Sequence, residues 1–259
     1  MPDVVLVDVT DRVATITLNR PNARNALSRE LLRALPSAVQ ESDDRDDVDV
    51  LILTGADPVF CAGLDLKELG ARQDTDDMAA PPGQRRGPLP PTRKPLIGAI
   101  NGAAITGGFE LALACDFLIA SERARFADTH SRVGIQPGWG LTVLLAEAVG
   151  VRRARELSAT GNFLDAATAL TWGLVNHVVP HEELLPFCRS LAADIVSNDQ
   201  AGVRQILTTY DEGSLTTAAD WWDLEARVSR EWLKSGTHMG DEIERRRAAV
   251  MERGRKQVG

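Results

Sequence analysis

Glu110 lies in the middle of a mostly small and apolar stretch of the chain, NGAAITGGFELALACD, with Phe109 and Leu111 as its neighbours. A carboxylate that is buried without a partner is strongly destabilising. Gly107 and Gly108 precede it, and glycine allows the backbone to approach a ligand closely. Glu110 is therefore either a structural charge at the positive end of a helix or a group that transfers protons in a reaction.

Two places in the chain combine an apolar strand, a glycine-containing turn and the start of a helix. They read LILTG…FCAGLDL and IGAINGAAITGGFELALACD. The amino terminus of a helix leaves N–H groups without partners, and two N–H groups aimed at one point form an oxyanion hole. The phosphate-binding patterns GxxxxGK[ST] and GxGxxG do not occur, so the sequence gives little support to a nucleotide-hydrolysing enzyme or a Rossmann fold.

The surrounding elements predict an α/β fold that positions these turns. The segments VVLVDVT and VATITLNR predict a hairpin around Asp11 and Arg12, and Ser28 is expected to cap a helix that follows it. Apolar strands then alternate with helices, which is typical of parallel strand pairing. After Pro180 the pattern is entirely helical. The tryptophan-rich stretch TTAADWWDLEARVSREWLKSG gives this region a large apolar face, which we expect to pack on a neighbouring subunit.

Composition excludes several classes of protein. The 259 residues carry a formal charge of −8, which argues against nucleic acid as a main partner. Cys61, Cys115 and Cys188 are scattered and odd in number, which suits reduced thiols in the cytoplasm, and no Cys/His cluster suggests a metal. The amino terminus resembles neither a signal nor a transit peptide, and the most apolar stretch is too short to span a membrane.

Three ordered motifs closely resemble the crotonase, or enoyl-CoA hydratase/isomerase, superfamily. They are VFCAGLDLKEL, KPLIGAINGAAITGGFELALACDFLIAS and ARFADTHSRVGIQPGWG, and the resemblance runs from LNRPNARNALS through GLVNHVV to the helical tail. It implies an α/β spiral of ββα units over residues 1–195, which would carry an acyl-CoA site. It also implies a carboxy-terminal helical trimerisation region over residues 196–259, and hence a homotrimer or a dimer of trimers.

The resemblance also implies the parts of the active site. The oxyanion hole would consist of the backbone N–H groups of Leu64 and Gly107, and the substrate would be an acyl-CoA thioester. No metal or redox cofactor is implied, because coenzyme A is part of the substrate. The residues that the family uses to contact coenzyme A correspond here to Arg24, Ala62, Gly63, Asp65 and Leu66.

Glu110 matches one of the two catalytic glutamates of the hydratases, and His130 occupies the position of the other. Histidine titrates near neutrality, at about pH 6.5, so His130 either holds or activates the water or serves only as a pocket-lining donor. Asp128 either orients His130 or faces solvent, and we expect the second. Trp139 is expected to line the acyl pocket.

These residues predict an enoyl-CoA hydratase that adds water to a 2-enoyl-CoA thioester with Glu110 as acid and base. One alternative is an enoyl-CoA isomerase that uses Glu110 alone. Another is an acyl-CoA-binding protein without catalytic activity. The acyl chain cannot be read from the sequence, because the loop over residues 70–91 is expected to shape its pocket.

Overall fold

The computed structural model describes residues 3–65, 67–68, 87, 89–214 and 216–235. The chain divides into two units, Met1–Arg204 and Gln205–Gly259. Within the described residues the strands are β1 (Val5–Thr10), β2 (Val13–Leu18), β3 (Val50–Gly55), β4 (Leu96–Ile100), β5 (Ala103–Ile105), β6 (Phe117–Ser121), β7 (Arg125–Ala127), β8 (Leu164–Asp165) and β9 (His177–Val179). The helices there are α1 (Arg29–Asp44), α2 (Gly107–Leu113), α3 (His130–Val133), α4 (Leu141–Val149), α5 (Val151–Thr160), α6 (Ala166–Trp172), α7 (Leu184–Val196), α8 (Gln200–Gly213) and α9 (Ala218–Ser235).

The predicted amino-terminal hairpin is confirmed. Strands β1 and β2 are antiparallel, and the turn residues Asp11 and Arg12 adopt φ angles of 50° and 64°. Two consecutive positive φ angles match the type I′ turn that suits the right-handed twist of a hairpin. The predicted helix cap is confirmed as well, since the N–H of Leu31 donates a 3.2 Å hydrogen bond to the hydroxyl of Ser28.

A six-stranded sheet has the order β1-β2-β3-β4-β6-β9, and every pairing from β2 to β9 is parallel. Strands β3 and β4 are buried along their whole length. One face of the sheet packs against α7 through Leu184, Cys188 and Ala192. Burial on both faces explains why these strands read as continuous apolar runs rather than alternating ones.

A second sheet of three strands, β5-β7-β8, creates the repeat that positions the site. Strands β4 and β6 are neighbours in the large sheet, and the strands that follow them, β5 and β7, are parallel neighbours in the small one. Each pair then leads into a helix, α2 or α3. These are successive ββα units of a spiral, as predicted, and they bring the starts of α2 and α3 to the same edge of the small sheet.

After Pro180 the elements within the described residues are all helices, as predicted: a short turn of 3-10 helix at His181–Glu183 is followed by α7, α8 and α9. In the unit Gln205–Gly259, Leu224 is buried, whereas Trp222 is 74% exposed. The predicted boundary at residue 195 between a catalytic core and an oligomerisation region stays a prediction.

Candidate active site

The loop after β3 joins the small sheet next to the start of α2. The N–H of Cys61 donates to the carbonyl of Ala103, and the N–H of Ile105 donates to the carbonyl of Cys61, both at 2.9 Å. A Cβ atom at Gly108 would lie only 2.2 Å from the carbonyl oxygen of Cys61. Only glycine permits this approach, and the approach brings the two glycine turns of the sequence together.

The two predicted oxyanion donors, Leu64 and Gly107, lie in these adjoining segments. Leu64 pairs with Leu27 through its neighbours: the N–H of Leu27 donates to Gly63, and the N–H of Asp65 donates to Leu27. A Cβ atom at Gly63 would lie 3.4 Å from the nitrogen of Gly107. Within the described part of the chain, the N–H groups of Leu64 and Gly107 donate no hydrogen bond. Both are thus available to an oxygen of a ligand.

Thr106 connects β5 to α2 in a strained conformation, with φ 54° and ψ −115°. A β-branched residue rarely adopts a positive φ, and such strain typically costs about 1–3 kcal/mol. The surroundings hold it in place. Its N–H donates to Ala127 at 2.9 Å, and its hydroxyl shares a short hydrogen bond with the hydroxyl of Thr129. This turn sets the direction in which α2, and the N–H of Gly107, begin.

Glu110 lies in the first turn of α2, as predicted, and its side chain is only 2% exposed. Its Oε1 accepts a 2.8 Å hydrogen bond from the backbone N–H of Trp139. Its Oε2 lies 3.4 Å from Nε2 of His130. The expected cost of burying this carboxylate is therefore offset by two donors from other segments, and the carboxylate is held in a fixed orientation beside Gly107.

His130 begins the short helix α3 and is buried between two carboxylates. Its Nδ1 lies 2.6 Å from Oδ1 of Asp128, opposite the Nε2 contact with Glu110. Burial alone would lower the pKa of His130, but the hydrogen bonds to Asp128 and Glu110 outweigh it and raise the pKa to about 9. The expectation of titration near neutrality is wrong for this site, and His130 is a cation at neutral pH.

The expectation that Asp128 faces solvent is also wrong. Asp128 is 1% exposed and accepts hydrogen bonds from both the ring and the backbone N–H of His130, the latter at 3.2 Å. Although burial by itself would raise the pKa of Asp128, its hydrogen bonds, first among them the one from His130, lower it below its usual range. Asp128 belongs to the site because β7 ends directly before it and points it inward.

Trp139 lies against the start of α2. A Cβ atom at Gly107 would lie 2.9 Å from Cζ3 of the Trp139 ring, and the side chain is largely buried. Its ring thus forms one wall beside the candidate oxyanion hole, where the sequence analysis expects the acyl pocket, while its backbone holds Glu110. The larger part of the loop over residues 70–91, which was expected to shape the same pocket, lies outside the described residues.

The predicted coenzyme A contacts cluster around the turn before α1. The N–H of Ala62 donates to the carbonyl of Arg24 at 3.1 Å, and the side chain of Arg24 is exposed, beside this turn. Asp65 forms a 3.1 Å ion pair with Arg20. Gly63 has φ +87°, a conformation that favours glycine. Leu66 lies outside the described residues.

Asn25 is a supporting residue that the sequence analysis missed. Its side chain is fully buried and donates to the carbonyls of Ala56 and Val59 at 2.7 and 2.8 Å. It also accepts a hydrogen bond from the backbone N–H of Arg20. It therefore anchors the turn that carries Arg24 to the loop that carries Leu64. In the sequence, Asn25 is only the second asparagine of the motif PNARNALS, and its spacing does not indicate this anchoring role.

No group of three or more His, Cys, Asp or Glu side chains in the described part of the chain could hold a metal ion. Among the helices described, none has the length and apolar character needed to cross a membrane.

The spiral of ββα units and the paired glycine turns with a buried carboxylate define a crotonase-type scaffold. A sequence profile described as enoyl-CoA hydratase/isomerase matches residues 8–252. The chain therefore belongs to the enoyl-CoA hydratase/isomerase family. It is 44% identical over 203 residues to a probable peroxisomal enoyl-CoA hydratase 1 of Arabidopsis thaliana. The aligned region covers 78% of this chain and 76% of the relative.

Solved structures agree with this assignment. An enoyl-CoA hydratase from Mycobacterium tuberculosis is similar with a TM-score of 0.75 and 52% identity, covering 88% of this chain and 98% of that one. An enoyl-CoA hydratase from Bacillus anthracis has a TM-score of 0.83 at 32% identity, covering 96% of each chain. The predicted fold class is thus confirmed.

Proposed function

We propose that the protein is an enoyl-CoA hydratase that adds water to a 2-enoyl-CoA thioester. The observation that carries the proposal is the buried Glu110, which is fixed by Trp139 and His130 beside the unpaired N–H groups of Leu64 and Gly107. A carboxylate and two N–H donors at one place match the needs of a reaction in which a carbonyl oxygen gains charge while a proton moves. The names of the relatives support the same activity.

The reaction proceeds through an enolate. The oxygen of a water molecule forms a bond to C3 as Glu110 accepts a proton from it, and the electrons of the C2–C3 double bond move onto the thioester oxygen. The N–H groups of Leu64 and Gly107 stabilise that oxygen. The protonated Glu110 then donates the proton to C2, which restores both the thioester and the carboxylate. One group serves as base and acid, so no metal or redox cofactor takes part.

His130 is assigned the role of a charged donor in this reaction. As an imidazolium it has no lone pair, so it cannot accept a proton from water. Its Nε2–H group is directed at Oε2 of Glu110, 3.4 Å away, and from this place it supports the ionised carboxylate and also reaches the oxygen of the water that the carboxylate deprotonates. This departs from the idea of a histidine base and leaves proton transfer to Glu110.

The second candidate is an enoyl-CoA isomerase, and a specific observation favours it. Because Asp128 and Glu110 keep His130 protonated, Glu110 is the base beside the candidate oxyanion hole among the residues that the structure describes. One carboxylate is sufficient to move a proton between carbons of a bound dienolate. A binding protein without turnover is the third outcome that an assay must separate.

The deciding experiment is a screen of 2-enoyl-CoA and 3-enoyl-CoA thioesters of several chain lengths in heavy water. A hydratase consumes the 2-enoyl-CoA and forms the 3-hydroxyacyl-CoA. An isomerase interconverts the two enoyl isomers and exchanges deuterium at carbon without adding water. A binding protein does neither, although calorimetry still detects its complex with the thioester.

The substrate is proposed to be held through its coenzyme A portion near Arg24, Ala62, Gly63, Asp65 and Leu66. The exposed Arg24 beside the loop of Gly63 supports a contact with phosphate groups. Calorimetry should show that an acyl-CoA binds far more tightly than the corresponding free acid. Equal affinities for the two would contradict this part of the proposal.

The assembly is proposed to be a homotrimer or a dimer of trimers in the cytoplasm, without nucleic acid or membrane as a partner. Trp222, which is 74% exposed, supports an apolar contact with another subunit. The thiols of Cys61, Cys115 and Cys188 are buried and none of them is in a disulfide, which supports a reducing compartment. Light scattering at micromolar concentration tests the oligomeric state, and a monomer would contradict it. Fractionation of the source cells tests the cytoplasmic location.

A further inference from the structure

Two carboxylates share one imidazole in the active site. His130 is 5% exposed, Glu110 2% and Asp128 1%. The Nδ1 atom lies 2.6 Å from Asp128 and the Nε2 atom 3.4 Å from Glu110. Both ring nitrogens thus face an acceptor, and only a doubly protonated imidazole can donate to both.

Asp128 is attached to His130 more firmly than Glu110 is. Its Oδ1 accepts from the backbone N–H of His130 at 3.2 Å as well as from the ring. On the same short helix, Arg132 donates instead to the carbonyl of Thr160 and to Asn162. Among the described residues, Glu110 and Asp128 are the charged groups that contact the His130 ring.

We propose that Asp128 is a positioning residue, which accepts a hydrogen bond from the Nδ1–H group of His130 and, together with Glu110, holds the ring doubly protonated with its Nε2–H group directed at Glu110. This inference rests on the proposed hydratase function, since Asp128 itself is not assigned a contact with substrate. The direction of the Nε2–H group matters because Glu110 must be ionised and correctly oriented when it accepts a proton from water.

The physical reason is that two acceptors favour the doubly protonated ring over either neutral tautomer. A neutral imidazole carries one N–H and one lone pair, and the hydrogen bond made by one nitrogen decides which form is present. If the only proton were on Nδ1, the Nε2 lone pair would face the carboxylate of Glu110, and the two would repel each other. Asp128 and Glu110 together avoid this state by stabilising the imidazolium, in agreement with a pKa of about 9 for His130.

A purely structural role makes a different prediction. If Asp128 serves only to begin α3, its loss lowers the stability of the protein but does not change the pH at which His130 titrates. The Asp128→Asn variant separates the two roles, because its side-chain carbonyl still accepts from the backbone N–H and the ring but carries no charge. Asp128→Ala removes the acceptor altogether and serves as the more severe variant.

A second Asp–His pair in the same chain provides a matched control. Oδ2 of Asp57 lies 3.1 Å from Nε2 of His181 and does not belong to the site described above. Oδ1 of Asp57 also accepts a 2.9 Å hydrogen bond from Asn101, which asparagine can keep. Asp57→Asn therefore removes a carboxylate from a histidine that contacts neither Glu110 nor His130. The experiment compares wild type, Asp128→Asn, Asp128→Ala and Asp57→Asn as full-length proteins. The histidines are labelled with ¹³C at Cε1, and His130→Gln identifies the signal of His130.

The first measurement is the NMR titration of His130, which does not require activity. We expect Asp128→Asn to lower the apparent pKa of His130 by about one to three pH units, and Asp57→Asn to leave it unchanged. The second is the pH profile of hydration with the most active 2-enoyl-CoA. The alkaline limb of kcat should move to lower pH in Asp128→Asn, with kcat at pH 8 reduced by about 2- to 100-fold, according to the size of the shift, while KM changes by less than about twofold.

An unchanged titration of His130 in both Asp128 variants overturns the proposal, and so does a loss of kcat in Asp128→Asn that is uniform across pH. If wild type hydrates no 2-enoyl-CoA, the proposed function fails. In that case the NMR titration still decides whether Asp128 controls His130, so the two failures remain distinguishable.

Discussion

The backbone N–H of Trp139 donates a 2.8 Å hydrogen bond to Oε1 of Glu110, although 29 positions separate the two residues. This bond occupies one carboxylate oxygen and leaves Oε2 directed at His130. Because the donor belongs to the backbone, the orientation of Glu110 depends on the path of the chain between α3 and α4 rather than on the identity of residue 139. Glu110 is therefore held in place before any substrate binds.

Replacement of Glu110 by glutamine should abolish the chemistry and retain the site. Glutamine offers a carbonyl oxygen to the N–H of Trp139 but cannot accept a proton. We expect hydration and deuterium exchange at carbon to fall by about 100- to 10,000-fold. Steady-state kinetics and exchange in heavy water measure these losses, and calorimetry with an acyl-CoA serves as the control for binding. Hydration at the wild-type rate with intact binding would contradict the role of base and acid that is given to Glu110.

Replacement of His130 by alanine should separate hydration from exchange. The variant loses the donor that positions the attacking water, whereas Glu110 still reaches the carbon next to the thioester. Hydration is expected to decrease by about 100-fold and deuterium exchange to persist. If the protein is an isomerase, the interconversion of 2-enoyl-CoA and 3-enoyl-CoA continues almost unchanged. Equal losses of hydration and exchange would contradict the role given to His130.

The sequence predicted those parts of the fold that follow from local patterns. The hairpin around Asp11 and Arg12, the cap at Ser28 and the place of Glu110 in the first turn of its helix depend on neighbouring residues only. Glycine spacing and the family resemblance also indicated that two turns meet. That expectation holds because Gly108 tolerates the close carbonyl of Cys61.

The electrostatic state of the site was not predictable in the same way. The charge on His130 depends on Glu110 from α2 and on Asp128 at the end of β7, and their distances are set by the pairing of β5 with β7. The bond from Trp139 to Glu110 involves a backbone donor, which every residue except proline possesses. Residue types and their spacing therefore indicate neither the charge on His130 nor the hydrogen bond from Trp139 to Glu110.

A pair of glycine variants tests whether the loop of Leu64 must keep its present position. Gly63 and Gly150 have φ angles of +87° and +81°, so alanine at either position is strained, at a cost of about 1–3 kcal/mol. Only at Gly63 does the new Cβ meet another group, the carbonyl of Ile105 at 2.8 Å. We expect kcat/KM to fall about 100-fold in Gly63→Ala through a displaced oxyanion donor, and to stay near wild type in Gly150→Ala. Denaturant unfolding of both variants shows whether their stabilities are comparable. Similar kcat/KM values in the two variants would contradict the role of Leu64 as an oxyanion donor.

Substitution of Trp139 by leucine should change the preference for acyl chains. The variant retains the backbone N–H that holds Glu110 but shortens the wall beside Gly107. We expect the ratio of kcat/KM for longer over shorter 2-enoyl-CoA substrates to rise about tenfold, since one methylene in a pocket is worth about 1–3 kcal/mol. Trp172→Leu is the matched control, because Trp172 is half-buried on α6 and contacts Arg153. Parallel losses for all chain lengths would argue against a role in the pocket.

The stability of the protein should decrease as the pH rises through the range in which His130 loses its proton. Folding raises the pKa of His130 from 6.5 to about 9, so its charged interactions stabilise the folded state fully below pH 6.5 and are lost by about pH 9. Asp128 has a lowered pKa, so its own contribution is lost only under acidic conditions, outside this window. The free energy of unfolding of wild type relative to His130→Gln should therefore fall by up to about 3 kcal/mol between pH 6.5 and 9. Urea unfolding of both proteins at matched pH values measures this difference in the free energy of unfolding. If the difference stays constant between pH 6.5 and 9, the folded state does not contain an imidazolium between the two carboxylates.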